Sequence, residues 1–511
     1  MQMPHSLTLG DVASENRRSR PLATAVVDGE VRLTYEQLDA RVDRLASVLR
    51  DEGVEVGDRL LWVGRNSFRI LECLLAAARV GAVFCPVNWR QSADELTFVM
   101  DDFTPRVVIW EQAAVGDTAM AARGASATRT HWIRADGPAD DNEYEARLSS
   151  VSTPDPAAER EIDPASPCLA LYTAAFSGRP NAALLSHTGI LTHNMSLALV
   201  RQIEPGFVYL NCGPLFHVGT MMFCTATFHL GGTNVFMPAF DAAEACRLVE
   251  AERCESMLLF PPMSDQLLEA CADGRYDLSS LRAPAGSDAW NAAVTVDDSP
   301  WGRALGGYGQ SEVGGMLTYG GLGLGGLGTH GRPSPFAQVR IVDPEGRELP
   351  PEEVGEIVAR GPHVMYGYHE RPELNTARRS GGWHHTGDLA RREKDGTITF
   401  IGPKVRMIKS GGENIYPAEV ERCITAHPDV AECAVIGVPD ARWGQSVKAV
   451  VALRDGARVT EQDITDHCRD RIASYKKPQS VEFVDAVPRR GFTPDYDELD
   501  ARFGGGGYPI F

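Results

Sequence analysis

From Tyr35 to Leu49 the apolar residues Leu38, Val42, Leu45 and Leu49 recur at intervals of three and four, the spacing of a helix with one buried face. Arg59-Leu60-Leu61-Trp62-Val63 then reads as a short strand, and the apolar stretch from Ile70 to Ala78 as a second helix that stops at Gly81. Strand and helix patterns keep alternating to about residue 400, which predicts an α/β architecture with mainly parallel sheets.

The alternation breaks in three places. Asp136 to Pro167, rich in Asp, Ala, Ser and Pro, reads as a surface connection. Between Gly320 and Gly331, the residues Gly321, Gly323 and Gly326 satisfy G-x-G-x-x-G. Met316-Leu317-Thr318-Tyr319 makes a poor buried strand and no long helical pattern follows, so a flexible loop is predicted rather than a dinucleotide site. Beyond Ile408 a smaller set of elements begins: a helix from Pro417 to Thr425, strands from Glu432 to Gly437 and Val447 to Ala452, a helix from Glu461 to Ile472 and a strand from Ser480 to Val484. That is enough for a separate α+β lid. The expected division is a large N-terminal domain over 1–402, a hinge over 403–406 and a small C-terminal lid domain over 407–511, ending in a mobile run from Gly504 to Gly507.

At 511 residues the chain exceeds one ordinary core. No stretch approaches the roughly 20 apolar residues of a membrane span, and no basic-then-apolar leader opens the chain, so a cytoplasmic protein with no membrane partner is expected. The 11 cysteines include no C-x-x-C pair, which favours buried free thiols over zinc or disulfides, and no metal site is expected. A net charge of −19 disfavours nucleic acid as a partner. Anionic ligands must therefore be held by local sites.

Three segments carry such chemistry: Gly307-Tyr308-Gly309-Gln310-Ser311-Glu312, Trp383-His384-His385-Thr386-Gly387-Asp388 and Lys409-Ser410-Gly411-Gly412-Glu413-Asn414-Ile415-Tyr416-Pro417. In this order and spacing they resemble the adenylate-forming superfamily of acyl-CoA synthetases, luciferases and nonribosomal-peptide adenylation domains, over about residues 20 to 500. The resemblance implies the adenylate-forming fold, with mixed sheets and packed helices in the large domain. It also implies a two-step reaction: a carboxylate attacks the α-phosphate of ATP to give acyl-AMP, and a thiol then attacks the acyl carbonyl and expels AMP.

On that resemblance, Gly307, Tyr308 and Gly309 hold adenine by an aromatic stack, Ser311 reaches the α-phosphate, Glu312 meets magnesium, and Asp388 grips the ribose hydroxyls. Without it, Tyr308 would be a core residue and Glu312 and Asp388 turn or cap residues. Lys409, Gly411 and Gly412 resemble the loop that lets the pantetheine arm of CoA pass close to backbone, where a side chain would crowd the tunnel. Trp443 resembles the aromatic offered to the CoA adenine, and Tyr475, Lys476 and Lys477 supply an aromatic and cations suited to CoA phosphates, or else form a solvated basic turn. His217, in Pro214-Leu215-Phe216-His217, resembles the gate between acyl and thiol channels, with a satisfied core histidine as the competing reading. Ala283, Gly286 and Ser287 resemble the turn lining the acid cavity, and Met221, Met222, Phe223 and Met263 suit a roomy apolar ligand or plain core.

Three places depart from the family. Its phosphate loop ends in Pro-Lys-Gly, whereas here Ala174, Ala175 and Phe176 replace Ser, Gly and a hydroxyl, Asn181 replaces the lysine and Ala182 the glycine. Ser177, Gly178 and Pro180 survive, and Arg179 is a candidate replacement cation. The C-terminal lysine position falls on Thr493 or Pro494, leaving only Arg489 and Arg490 before Gly491, and no lysine follows Lys477. The hinge Gly402-Pro403-Lys404-Val405-Arg406 has proline for the ribose-directed arginine and Arg406 for the pivot aspartate, which predicts a stiff linker. Both lysine losses strike the first half-reaction. The pattern is similar to the non-adenylating acyl-CoA ligases of platensimycin-type diterpenoid biosynthesis. It predicts transfer of an acyl group from preformed acyl-AMP to CoA, with a separate adenylating ligase as partner and with Mg2+ possible but not required. The alternatives are a complete ATP-dependent acid–CoA ligase and a non-catalytic AMP-binding scaffold.

Overall fold

The computed structural model describes residues 6–137, 142–151, 162–173, 180–259, 263–272, 274–404, 406–454, 456–490, 493–506 and 508, apart from the side chains of Arg490 and Thr493. Local signals set the first elements. Thr34 and Gln37 cap each other at the start of helix Tyr35–Asp51, whose buried residues Leu38, Val42, Leu45 and Leu49 are those of the apolar repeat. Ser67 caps helix Phe68–Val80, which ends on Gly81 at φ 77, a left-handed conformation that glycine adopts without strain.

Among the described residues the large part of the chain holds two α/β sheets. The seven-stranded sheet runs Gly367–Tyr368, Asn181–Ser186, Pro167–Thr173, Val83–Pro86, Arg59–Val63, Val107–Trp110, His131–Arg134. Its last five strands are parallel, with Leu60 opposite both Phe84 and Val107, and the first two are antiparallel additions. The five-stranded sheet runs Ser256–Met257, Val208–Asn211, Thr233–Phe236, Thr24–Asp28, Val31–Thr34, parallel except at its last pair. One core joins the early helices to Leu60 and Trp62 of the first sheet and to Ala25 and Val26 of the second. A four-stranded antiparallel sheet, Gln338–Val342, Val354–Arg360, His384–Arg392 and Ile398–Pro403, completes the large part. The sheets are mixed, with packed helices, as expected.

The smaller sheet after Ile408 is built on a hairpin of Val430–Asp440 and Gly444–Leu453, joined by Ile408–Ser410, Glu413–Ile415 and Ser480–Val484. Its first strand is longer than the apolar run predicted, because pairing carries the extended backbone out to Pro439 and Asp440. Helix Glu461–Arg469 stops short of Ile472.

Two loop expectations need correction. The glycine run after Tyr319 is tightly packed: a β-carbon at Gly331 would lie 1.8 Å from the Tyr319 carbonyl oxygen, and one at Gly323 would lie 2.6 Å from Gly331 Cα. Those glycines permit close backbone approach. At the other end of the chain, Gly506 N donates to the Gly437 carbonyl at 2.9 Å and its own carbonyl accepts from Gln445 at 2.8 Å, so Gly504 to Gly506 are anchored to the small sheet. Gly507 lies outside the described residues.

Candidate functional site

Tyr308 stands on a close-packed hairpin. A β-carbon at Gly307 would sit 2.3 Å from the Thr318 carbonyl oxygen and one at Gly309 would sit 2.2 Å from that of Gly315, so only glycine fits on either side. The Tyr308 ring is 5 % exposed and lies against Phe400, with ring centroids 5.1 Å apart. Its hydroxyl donates to Asp388 Oδ2 at 2.6 Å, and Gln310 Nε2 reaches the same hydroxyl and the same carboxylate oxygen. Residues 80 positions apart thus form one polar knot. Burial pushes the Asp388 carboxyl up to about 6, more than these donors and the neighbouring charges restrain it.

Ser311 opens a 3-10 turn, Ser311–Val313, that buries Glu312. The Glu312 carboxylate accepts from the Tyr368 hydroxyl at 2.8 Å, and burial raises its pKa. Arg378, which no motif singled out, closes this pocket. Its guanidinium donates to the His385 carbonyl at 3.0 Å, would stand 2.7 Å from a β-carbon at Gly387, and pulls Glu312 and Asp388 down against the larger push of burial.

The thiol-side loop is set against the large part of the chain. Glu413, quoted in the motif but given no role there, puts one carboxylate oxygen 3.2 Å from His217 Nε2 and the other on the Arg90 guanidinium. His217 is 46 % exposed and precedes helix Val218–His229, so it is not a core histidine. Gly411 has φ 57, donates to the Trp443 carbonyl at 2.9 Å, and would bring a β-carbon within 2.9 Å of the Trp443 ring. At Gly412 a β-carbon would meet no protein atom within 4 Å, so the space beside it is open, and φ 87 independently favours glycine. Lys409 donates its backbone N–H to Gln445, and burial lowers the pKa of its amine. Trp443 is exposed at the hairpin tip with Arg442 over its ring.

The basic turn is not free for phosphates as a whole. Lys476 is buried between Glu95 and Glu419, at 2.8 Å from each, and Tyr475 packs beneath Arg90. Lys477 donates to the Ser474 carbonyl and keeps partial exposure. In the acid-cavity turn, Ala283 is buried, Gly286 fits under Trp290, and the Ser287 hydroxyl caps helix Asp288–Ala293.

Ala174, Ala175, Phe176, Ser177, Gly178 and Arg179 lie outside the described residues, as do Val405 and Gly491. Asn181 is described, and its side-chain oxygen accepts from Arg371 Nε at 3.0 Å; Arg371 in turn pairs with Asp102, which also takes the Tyr172 hydroxyl at 2.7 Å. Arg489 is paired with Glu432 on the small sheet, where Arg489–Arg490 forms a two-stranded ladder with Thr493–Pro494. At the hinge, Arg406 is clamped by Asp497 and Asp500 of helix Tyr496–Phe503 and flanked by the rings of Tyr496 and Tyr508.

The sequence profile described as "AMP-binding enzyme" matches residues 13–369, and that described as "AMP-binding enzyme C-terminal domain" matches residues 419–491. The chain is 37% identical over 495 residues to a feruloyl-CoA synthase of Amycolatopsis, covering 94% of this chain and 96% of the relative. It is 34% identical over 475 residues to an indoleacetate–CoA ligase of Aromatoleum aromaticum, covering 92% of each. Among solved structures, a Mycobacterium tuberculosis fatty acyl CoA synthetase is similar at TM-score 0.68 and 28% identity, covering 97% of this chain and 98% of that one. The o-succinylbenzoate CoA synthetase of Bacillus subtilis shares the fold at TM-score 0.78 and 23% identity, covering 94% and 95%.

Proposed function

The chain belongs to the AMP-binding enzyme family, as an acyl-CoA ligase-type member, and we propose that it is specialised for the second half-reaction, moving an acyl group from preformed acyl-AMP to CoA. The observation that carries this reading is the fate of the two lysine positions. Asn181 spends its carbonyl oxygen on Arg371, and the strand pair at Thr493 and Pro494 leads back along the small sheet to Arg489 and Glu432. Losing one preorganised charge at a developing phosphate typically costs several kcal/mol of barrier, so losing two makes adenylation very slow.

The second half needs less. Asp388 accepts the ribose hydroxyls, the Tyr308 hairpin holds the base, and Ser311 faces the α-phosphate. CoA enters past Gly411 and Gly412 with its adenine against Trp443, its phosphates near Lys477, and its thiol beside His217. The sulfur attacks the acyl carbonyl as the thiol proton is lost, the thioester bond forms, and the acyl–phosphate bond breaks with its electron pair leaving on AMP. Glu413, bound to His217 and Arg90, holds the small part in the pose that this step needs. The Arg406 clamp fixes the end of the hinge to helix Tyr496–Phe503 of the small part. In the family Mg2+ serves the phosphates of ATP. Among the described residues no group of three His, Cys, Asp or Glu side chains could hold a metal, so such an ion would lean on Glu312 and on phosphate oxygens.

Within the family this loss pattern is closest in kind to the non-adenylating ligases of platensimycin-type biosynthesis, and acyl-AMP would come from a separate adenylating ligase. A second reading, a complete acid–CoA ligase, is favoured by Arg378 beside Glu312 and Asp388 and by the names of the relatives, both of which are ligases or synthases forming CoA thioesters. Product analysis separates the two readings. Synthetic acyl-AMP plus CoA is expected to give thioester and AMP, and acid, ATP, Mg2+ and CoA none; comparable thioester from both mixtures would establish the complete ligase instead.

A further inference from the structure

Arg201 ends helix His187–Arg201 and reaches into a box of aromatic rings. Its guanidinium lies over the Phe223 ring, 4.8 Å from the centroid, and over the Trp301 ring; Tyr209 stacks on Phe223 at 5.0 Å. Among the described residues the guanidinium makes no hydrogen bond or ion pair, and its Nε is sealed from solvent without a partner. Tyr319 faces the same box, and its buried hydroxyl is unpartnered too. Burial pushes Arg201 down to about 9, against the pull of Tyr209, Tyr319 and Asp297. Asp297 does not neutralise it directly, being engaged by Arg282 at 3.6 Å and by the Ser299 N–H at 2.9 Å.

Arg201 keeps partial exposure, but its sealed Nε without a hydrogen-bond partner costs free energy, which the helix C-terminus and the ring faces offset only in part. The box is also placed to meet the acyl group. One wall is Met222 and Phe223, on the helix that begins after His217; another is Met316, on the hairpin that carries Tyr308, Ser311 and Glu312. Six residues of helix separate His217 from Phe223, about 9 Å at 1.5 Å per residue.

We propose that Arg201 and Tyr319 form the distal acyl subsite, selecting a flat acyl group that ends, about 9 Å from its reacting carbonyl, in an anionic oxygen group such as a carboxylate. This rests on the acyl-AMP reading above. The guanidinium fork supplies paired donors to such a group and the Tyr319 hydroxyl a third, beside the apolar side chains of Met222 and Met316.

The test uses two unreactive acyl-sulfamoyl-adenosines of equal length, one ending in a carboxylate and one in a methyl group, titrated calorimetrically into the full chain. Wild type should bind the carboxylate-ended mimic about tenfold or more tighter. Arg201→Met should abolish the preference, Arg201→Lys should retain part of it, and Tyr319→Phe should reduce it. Because a buried donor without a partner is removed, Arg201→Met should melt no lower than wild type without ligand. Equal binding of both mimics by wild type, or a preference that survives Arg201→Met, overturns the proposal. If Arg201→Met fails to fold, Tyr319→Phe and Arg201→Lys decide in the same way. Since no turnover is needed, loss of the end-group preference alone leaves the half-reaction standing, whereas failure of both mimics to bind removes the acyl-AMP site and this subsite with it.

Discussion

Replacing Glu413 by glutamine tests how the thiol loop is held. The carboxylate lies between His217 Nε2, at 3.2 Å, and the Arg90 guanidinium, with its side chain 14% exposed. Burial alone would raise its pKa, but His217 and Arg90 bring it from the ordinary 4.5 down to about 2. That depression is worth roughly 3 kcal/mol in favour of the ionised, docked carboxylate. A folded-state pKa below the ordinary value means that the contribution is lost as the pH falls from about 4.5 toward 2, and the share owed to His217 is present only while its imidazole is protonated, leaving the Arg90 share at higher pH. At neutral pH, Glu413→Gln therefore removes the charge without changing the shape. Arg90 keeps its packing on Phe216 and Tyr475, so part of the docking survives, and the expected loss is about 1 to 3 kcal/mol, or roughly fivefold to 150-fold in the docked population. Single-turnover thioester formation from acyl-AMP should fall by that factor, and tryptic cleavage at Lys404 and Arg406 should speed up. A change of less than twofold in both would refute the idea that this contact fixes the transfer pose.

Two further outcomes follow from the nucleotide side. Burial raises Asp388 to about 6, so its penalty is absent below about 3.8 and complete above about 6; Asp388→Asn should stabilise the unliganded protein at pH 7 by up to roughly 3 kcal/mol, with the gain vanishing toward pH 4 in thermal melts, while AMP binding weakens about tenfold or more. A stability loss at pH 7 would contradict the burial argument. Asn181→Lys should create no acyl-AMP from acid and ATP and should cost about 1 to 2 kcal/mol in melts, because it removes the acceptor for Arg371 and sets a second cation beside it; recovery is expected only when the loop and a tail lysine are rebuilt together, and robust adenylation by the single variant would argue for the complete ligase.

The elements were legible wherever the signal is local. Helix Tyr35–Asp51 carries both its apolar repeat and its Thr34–Gln37 cap in consecutive sequence. Tyr308 and Asp388 were legible only through motif resemblance, since nothing local says that residues 80 apart share a hydrogen bond. Arg90, Glu413 and Arg378 were not legible, because an ion pair between distant segments leaves no periodic trace. Lys476 misled for the same reason: in a basic turn it looks solvated, yet Glu95 and Glu419 enclose it. At Gly412 the positive φ is a backbone property that the motif alone does not display.

The central claim is the loss of adenylation, and the most direct measurement is acid-dependent exchange of labelled pyrophosphate into ATP, which reports acyl-AMP formation without CoA. With both lysine positions empty, exchange should fall at least about 10³-fold below that of a complete ligase assayed alongside, while the same preparation converts acyl-AMP and CoA to thioester and AMP. Exchange at the rate of the complete ligase would contradict the account.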